Sequence, residues 1–531
     1  MIFGTIDHYL YPGGMYMQTS ELNLSMFKSY DIRTPASKLP LELSRRLAHA
    51  VAVYFADVLG TRKVVLCRDA RLSGPAYLEQ GAEIFKSLGF EVFVNFQVSS
   101  TCQFYYACMQ HFDAAGIMYG ASHNPGTDTG QKIVGPGLQS IAAGCGPLGG
   151  LYAVRQSFID GKQLHEQPGG KIHVLNCTDA YIDYSLKLSG LEAGVLNGLR
   201  IAADFLCGAS GEEMLTALDF CGASVHGRNI IPDGRFPAGE PNPIISKSIM
   251  PLVEDLASGS YDLGIAFDGD GDRLELFTSR GTQFSPVFNA SILMDELLKL
   301  NEPQSPSSLD PSFYVCLKSS PYAVAHIAAS GVRTSIIKTG HSHIKEALTR
   351  NRSRGFIGAV EESCHYYMHF PLDIQDLSGR AAATENTLFF TLLTAKMYCK
   401  YPERYAEGAG VQEAAFRERE WGYLFTEEAS RNHVLEAVEK ELSSRGFASM
   451  RTMEDGTDLE AVLMRRNLPF AIDAQTVMPD DWVQVTQRIS QTEDGVARWE
   501  VIAGNPKIKD ETASIINSIV TSSGKAERYH I

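Results

Sequence analysis

Two short segments bring together side chains that could do chemistry. Ala121-Ser122-His123-Asn124-Pro125 lies in a polar, Gly-rich stretch and offers a serine hydroxyl on a turn. Asp268-Gly269-Asp270-Gly271-Asp272-Arg273 follows the apolar run Leu263–Phe267. It sets three carboxylates at alternate positions, with glycines between them and an arginine behind. Hard oxygen ligands of this kind suit Mg²⁺ or Ca²⁺ rather than a soft metal. An EF-hand loop would need glycine at its sixth position and glutamate at its twelfth, where this chain has Arg273 and Ser279. A solvated turn is the competing reading of the aspartates, and glycine alternating with aspartate directly after a β-like run favours metal binding over it. A serine before Asn-Pro is, alone, an ordinary turn residue. Together, a hydroxyl able to carry a phosphate and a loop able to hold a divalent cation are the parts that phosphoryl transfer needs.

Positioning such loops requires a rigid frame, and the hydrophobic pattern supplies one. Residues 41–59 read as a helix, 63–67 as a buried strand, 77–88 as a helix and 91–96 as the next strand. This rhythm implies an α/β layer with active loops at strand ends. Residues 135–150, rich in glycine, read as a loop. A second α/β unit starts at 199–204, with Gly208 and Gly211 opening a helix, and a third starts at 313–316. Residues 386–398 form a long apolar helix that closes the third. Beyond residue 405 the chain is charged. It reads as helical over 414–420 and 431–444, as strands near 482–486 and 498–502, and as a helix near 514–520. That pattern describes a smaller α+β unit. No strict sequence repeat is visible.

A chain of 531 residues is too long for one core, so three or four domains are expected. A net charge of −15 argues against a nucleic-acid groove and leaves any anionic ligand to be held by a local cluster of Lys, Arg and backbone N–H groups. Ten scattered cysteines without a Cys-x-x-Cys pair read as reduced, mostly buried residues of a cytoplasmic protein. Residues 1–10 do not resemble a signal peptide, and no apolar run is long enough to span a membrane.

The order and context of the motifs resemble the α-D-phosphohexomutase superfamily, and within it the bacterial phosphomannomutase/phosphoglucomutase group. Residues 116–132 resemble its phosphoserine loop, with Lys132 where the family has a lysine near the reacting groups. Glu361-Glu362-Ser363-Cys364-His365 resembles the sugar-binding Gly-Glu-x-Ser-Gly-His loop, with Val360 and Cys364 in place of its glycines. Tyr30-Asp31-Ile32-Arg33, Arg68-Asp69-Ala70-Arg71-Leu72-Ser73-Gly74, Pro232-Asp233-Gly234-Arg235-Phe236-Pro237 with Pro241-Asn242-Pro243, and Lys338-Thr339-Gly340-His341-Ser342-His343 match further segments in the family's order. The likeness covers roughly residues 26–400, and several motifs in order are more specific than any one of them. Gly120 replaces the family's threonine before the serine loop. In the last domain the family carries Arg-x-Ser-Gly-Thr-Glu-Pro, which clamps the phosphate that is not being transferred. The stretch taken as its counterpart, Val501-Ile502-Ala503-Gly504-Asn505-Pro506-Lys507-Ile508-Lys509, lacks the arginine, serine and threonine. Arg488-Ile489-Ser490, just upstream, is a possible substitute.

The resemblance implies three similar α/β mixed-sheet domains plus a smaller C-terminal α+β domain around a central cleft. Residues 1–25 would be an extension, 26–180 a domain with the phosphoserine loop, 181–285 one with the metal loop, 286–404 one with the sugar loop, and 405–531 a fourth with a divergent phosphate loop. It implies a phosphohexomutase that interconverts hexose 1-phosphate and hexose 6-phosphate of mannose or glucose through a phosphoserine and a bisphosphorylated sugar. Ser122, Asp268, Asp270 and Asp272 would hold one Mg²⁺, and hexose 1,6-bisphosphate would act as activator. Lys132 and His341 are candidates to take and return a proton, with Arg33 or Arg273 stabilising the transferring group. His123 reads as a brace of the serine turn before it reads as a catalyst. Tyr30, Arg273, Lys338, Gly340, Glu361, Ser363, His365, Gly504, Asn505 and Lys507 would contact substrate. Expected partners are small-molecule sugar phosphates, with no nucleic acid and no membrane, for a monomer or homodimer. Two other readings stay open: a protein of this fold without turnover that senses sugar phosphate or serves as an interaction partner, and a mutase for an amino sugar or a pentose.

Overall fold

The computed structural model describes residues 22–302, 310–490, 493 and 495–529. Most of the expected extension, residues 1–21, lies outside the described residues.

Four sheets organise the chain. The first runs Ile32–Pro35, Asp128–Gly135, Ala115–Tyr119, Lys63–Arg68, Glu91–Val98, Lys171–Val174, with Gln139–Ile141 added beside Asp128–Gly135. Its centre is parallel, and the strand Lys63–Arg68 is almost wholly buried, as a strand covered by helices on both faces must be. The second runs Gln283–Phe284, Leu274–Thr278, Leu263–Phe267, Arg200–Asp204, Ser224–Arg228. The third runs Arg333–Ile337, Ser312–Cys316, Phe356–Val360, Tyr366–Pro371, Ala381–Glu385. The fourth is antiparallel: Ala448–Thr452, Asp458–Arg466, Val483–Ile489, Val496–Ala503, Phe416–Phe425, Ala526–Tyr529. The architecture is therefore mixed α/β, three α/β layers followed by an α+β unit. Among the described residues no helix is long and apolar enough to cross a membrane.

The first three sheets repeat one connection. In each, a strand that pairs parallel with its neighbour ends in a loop and returns as an antiparallel partner. Residues 120–127, 268–273 and 361–365 are these three loops. The serine, aspartate and sugar-type motifs thus occupy one topological position three times over, a repeat invisible in the sequence because backbone geometry, not side-chain identity, is what recurs.

Three local expectations need correction. Residues 414–420 are not helical; they open the strand Phe416–Phe425. Arg and Glu favour helices weakly, and pairing with Val496–Ala503, which sets Trp421 opposite Trp499, overrides that preference. The helix expected over 41–59 ends at Val53 and continues as one π-turn, Tyr54–Val58. Residues 135–150 contain a short strand, Gln139–Ile141, held by Asp128–Gly135. The apolar helix closing the third layer is Thr387–Lys400, capped by Asn386, whose side chain accepts from Phe389 N at 2.9 Å.

Candidate functional site

Ser122 stands at φ +48° on the turn after Ala115–Tyr119 and is buried. A positive φ on a residue with a Cβ carries strain and needs support from its surroundings. Arg71 supplies it. Fully buried and paired with Asp69 at 3.1 Å, its guanidinium donates to the backbone carbonyls of Ser122 (2.9 Å), Asn124 (2.6 Å) and Asp128 (3.0 Å). Gly120 has a steric reason: a Cβ there would lie 2.6 Å from the Asp69 carboxylate. Ser122 Oγ donates to Asp268 Oδ2 at 2.8 Å and lies 3.2 Å from His123 Nδ1.

The aspartate loop closes against this turn. A Cβ on Gly269 would sit 2.7 Å from Ser122 O, and Gly271 takes φ +69°, so glycine is required at both positions. Asp268, Asp270 and Asp272 are all buried and offer oxygens within 4.8 Å of one another. Lys132 Nζ reaches Asp270 at 2.6 Å and Asp272 at 2.5 Å. Thr101 Oγ1 donates to Asp270 at 2.6 Å. Asp270 Oδ1 and Asp272 Oδ1 are buried with no hydrogen-bond partner. Burial, then the neighbouring Asp270 and Asp272, pushes the Asp268 carboxyl up to about 8. Three crowded carboxylates with orphaned oxygens are short of positive charge, and this donor set fits a hard divalent cation.

Around this centre the basic groups are held in place. Arg33 donates to Asp31 at 2.8 Å and to Asn124 at 2.8 Å. Arg273 Nη2 lies 2.8 Å from His123 Nδ1, and its Nε lies 3.2 Å from His365 Nε2. Burial, then Arg273, holds His123 far below the usual imidazole range, so the ring is neutral. Burial opposes charging His365, but Asp272 and Glu385, the latter 3.3 Å away, outweigh it and raise its pKa. Lys132 is likewise disfavoured by burial and rescued by Asp270 and Asp272, which hold it protonated.

A second group lines the neighbouring layer. The Tyr30 ring leaves no room for a side chain at Gly340: a Cβ there would be 2.4 Å from it. His341 follows, buried, with Nε2 unpartnered; burial, then Lys345, keeps it neutral. Glu361 accepts from Gly340 N at 3.2 Å and from Tyr367 at 2.7 Å, while Ser363 is half-buried at the turn. Cys364 stands at φ +73°, which explains why a glycine suits this position, and its thiol contacts Glu275. Cys364 O accepts from Leu274 N at 3.0 Å, tying this loop to the strand after the aspartates. Lys338 Nζ pairs with Glu460 at 2.6 Å.

The structure does not bring Gly504, Asn505 and Lys507 to this centre. Gly504 N donates to Trp482 O at 3.1 Å, Asn505 caps the helix Pro506–Ser522, and Lys507 is 82% exposed. They end a hairpin in which Val483 pairs with Ala503, whereas Ile489 pairs with Ala497 at its other end, roughly 20 Å away. That other end carries Arg488, close enough to Tyr30 for each to influence the other's charge, and bound to Glu420 at 2.7 and 2.8 Å. The signal was in the chain: Arg488-Ile489-Ser490-Gln491-Thr492-Glu493 has the spacing Arg-x-Ser-x-Thr-Glu. Arg71, Thr101 and Glu385 are the residues that the motifs left out of the site, and Arg488 entered only as a substitute for the Gly504 stretch.

Comparison with known proteins agrees with this geometry. Residues 24–143 match the family model for phosphoglucomutase/phosphomannomutase, alpha/beta/alpha domain I, and residues 179–281 match that for domain II. A phosphomannomutase of Salmonella typhimurium is 30% identical over 349 residues, 65% of this chain and 73% of the relative. A phosphomannomutase of Escherichia coli K12 is 28% identical over 450 residues, 84% of this chain and 92% of the relative. The solved structure of a phosphoglucomutase/phosphomannomutase family protein from Burkholderia thailandensis superposes with a TM-score of 0.75 at 18% identity, over 96% of this chain and 99% of that one, and shares the fold. With the serine turn, the aspartate loop and the sugar-type loop at equivalent hairpins of three sheets, the chain belongs to the phosphoglucomutase/phosphomannomutase family.

Proposed function

We propose that this protein is a phosphohexomutase that interconverts hexose 1-phosphate and hexose 6-phosphate, of mannose or glucose, through a phosphorylated Ser122. The observation that carries the reading is Ser122 Oγ at 2.8 Å from Asp268, inside a buried three-aspartate cluster with a lysine across it. Asp268, Asp270, Asp272 and an oxygen at Ser122 would hold one Mg²⁺, which when bound supplies positive charge beside the transferring phosphoryl group.

The chain's own groups do the rest. Arg71 holds the serine turn so that Oγ faces the cluster. Lys132 stays charged and donates, so His341, neutral with a free ring nitrogen, is the better proton acceptor for the attacking sugar hydroxyl. Arg33 and Arg273 stabilise charge on the transferring group. Glu361 and Ser363 hold sugar hydroxyls in both orientations of a hexose 1,6-bisphosphate, which also serves as activator. Arg488 clamps the distal phosphate in place of Gly504, Asn505 and Lys507. The four sheets are the four domains of this reading, which works on small-molecule sugar phosphates in the cytoplasm as a monomer or homodimer.

The test is turnover of mannose 1-phosphate and of glucose 1-phosphate, with Mg²⁺ and a trace of the 1,6-bisphosphate, beside a Ser122→Ala control. Formation of 6-phosphate that the control abolishes supports the reading, and the ratio of the two rates names the sugar. No product from folded, phosphorylated protein with either sugar sinks it.

A further inference from the structure

The Gly-rich segment after the strand Gln139–Ile141 has no part in the phosphoryl chemistry, yet it is built with care. Ala142 and Cys145 exchange backbone hydrogen bonds of 3.0 and 3.1 Å across a tight reversal. Gly150 lies directly beneath, at φ +58°, and a Cβ there would come within 1.9 Å of Cys145 O. The reversal is thereby fixed, and Cys145 is 1% exposed. Ala143 N donates to Ser29 O at 3.0 Å, which places the reversal beside Tyr30.

Helix His341–Asn351, from the third layer, packs across Gln139–Ile141. His343 and Glu346 stand three residues apart on it and so share a face. Cys145 Sγ, a ring nitrogen of His343 and a carboxylate oxygen of Glu346 lie within 4.8 Å of one another. The His343 ring meets Tyr30 edge-on at 5.8 Å, which limits how it can turn.

We propose that Cys145, His343 and Glu346 bind a zinc-class divalent cation that pins the Gly-rich reversal to the helix His341–Asn351. Thiolate, imidazole and carboxylate form a borderline-soft set, unlike the all-oxygen aspartate cluster, and it selects zinc over magnesium. Ligand atoms in a tetrahedral zinc site lie about 3.5 Å apart, a small adjustment from the spacing here. The fourth position is open to water. Burial and then Glu346 hold the Cys145 thiol protonated in the absence of a cation, so binding forms the sulfur–metal bond and releases that proton to solvent. The site joins the layer bearing Ser122 to the layer bearing the sugar-type loop, and does so independently of the aspartates.

Co²⁺ is the probe, added to the full chain with its aspartate loop saturated by Mg²⁺. The expected result is one equivalent of bound Co²⁺ with a thiolate-to-cobalt charge-transfer band, displaced by Zn²⁺ and absent in Cys145→Ser. Glu346→Gln, at a half-buried position, weakens Co²⁺ by more than the roughly tenfold that an outer-shell change costs. Absence of the band in the wild-type protein, or its persistence in Cys145→Ser, overturns the proposal. Should Cys145→Ser fail to fold, unchanged Co²⁺ affinity in both His343→Gln and Glu346→Gln does the same.

Discussion

The two loops around Ser122 and Asp268 differ in kind from the hairpin of the fourth sheet. In the first pair the polar contacts are dense: Ser122 meets Asp268, Lys132 meets two aspartates and Arg71 meets four backbone carbonyls in and beside the serine turn, while Asp270 Oδ1 and Asp272 Oδ1 stay without a partner. Glycine is demanded there by contacts as close as Gly269 against Ser122 O. At the hairpin, Arg488 is bound to Glu420, which Arg498 and Lys318 share. The first region is organised around a positive charge it lacks; the second gathers three cations around the single carboxylate of Glu420. A site that awaits a cation keeps its residue types because no other atoms fit. A site that holds a second phosphate asks only for donors at the right place, so its sequence can drift while its geometry survives.

The largest effect that would break this contrast is on Ser122. Ser122→Ala is expected to lower kcat by at least about 10³-fold, because the group that carries phosphate is gone; residual turnover above that level would remove the serine from the chemistry. Asp270→Asn comes next. It should cost roughly 10²–10³-fold in kcat and weaken Mg²⁺ dependence, read by titrating Mg²⁺ against rate. At the hairpin, Arg488→Ala should raise KM by roughly 10-fold or more through loss of charge-assisted hydrogen bonds, with a smaller change in kcat. Asn505→Ala sharpens the comparison. It removes a helix cap and should cost about 1 kcal/mol in urea unfolding while leaving KM unchanged. An unchanged KM in Arg488→Ala beside a raised one in Asn505→Ala would restore the Gly504 stretch as the phosphate loop.

The smallest effect concerns pH. The His365 pKa is raised in the folded protein, burial being outweighed by Asp272 and Glu385. Its contribution to stability is therefore complete below about pH 6.5 and is lost as pH rises through the folded value. Glu385 has the opposite sign: burial is outweighed by Lys345 and then His365, its pKa falls to about 2, and its contribution is lost as pH falls through that value. Unfolding free energies compared at about pH 6 and about pH 9 should decline more for the wild-type chain than for His365→Gln. Equal declines would show that His365 is not charged in the fold.

Motif spacing made the serine turn and aspartate loop legible because each is contiguous: five or six residues carry the chemistry. Asn386 at the head of an apolar run and the apolar strand Leu263–Phe267 were legible for the same reason. The strand Phe416–Phe425 was not, since Arg and Glu residues say helix locally and only pairing with Val496–Ala503 says strand. Nor were Arg71 as a support of Ser122, separated from it by 51 residues, or Thr101 as a partner of Asp270, 169 residues away.

By itself the sequence determined which side chains exist to carry phosphate, to hold a hard cation and to reach a sugar, because residue type and short-range spacing are covalent facts. The tertiary structure alone decided which end of a hairpin meets Tyr30, which arginine props the serine, and which histidine stays neutral. Those depend on contacts between residues far apart in the chain, and on burial and neighbouring charge, which exist only once the layers pack.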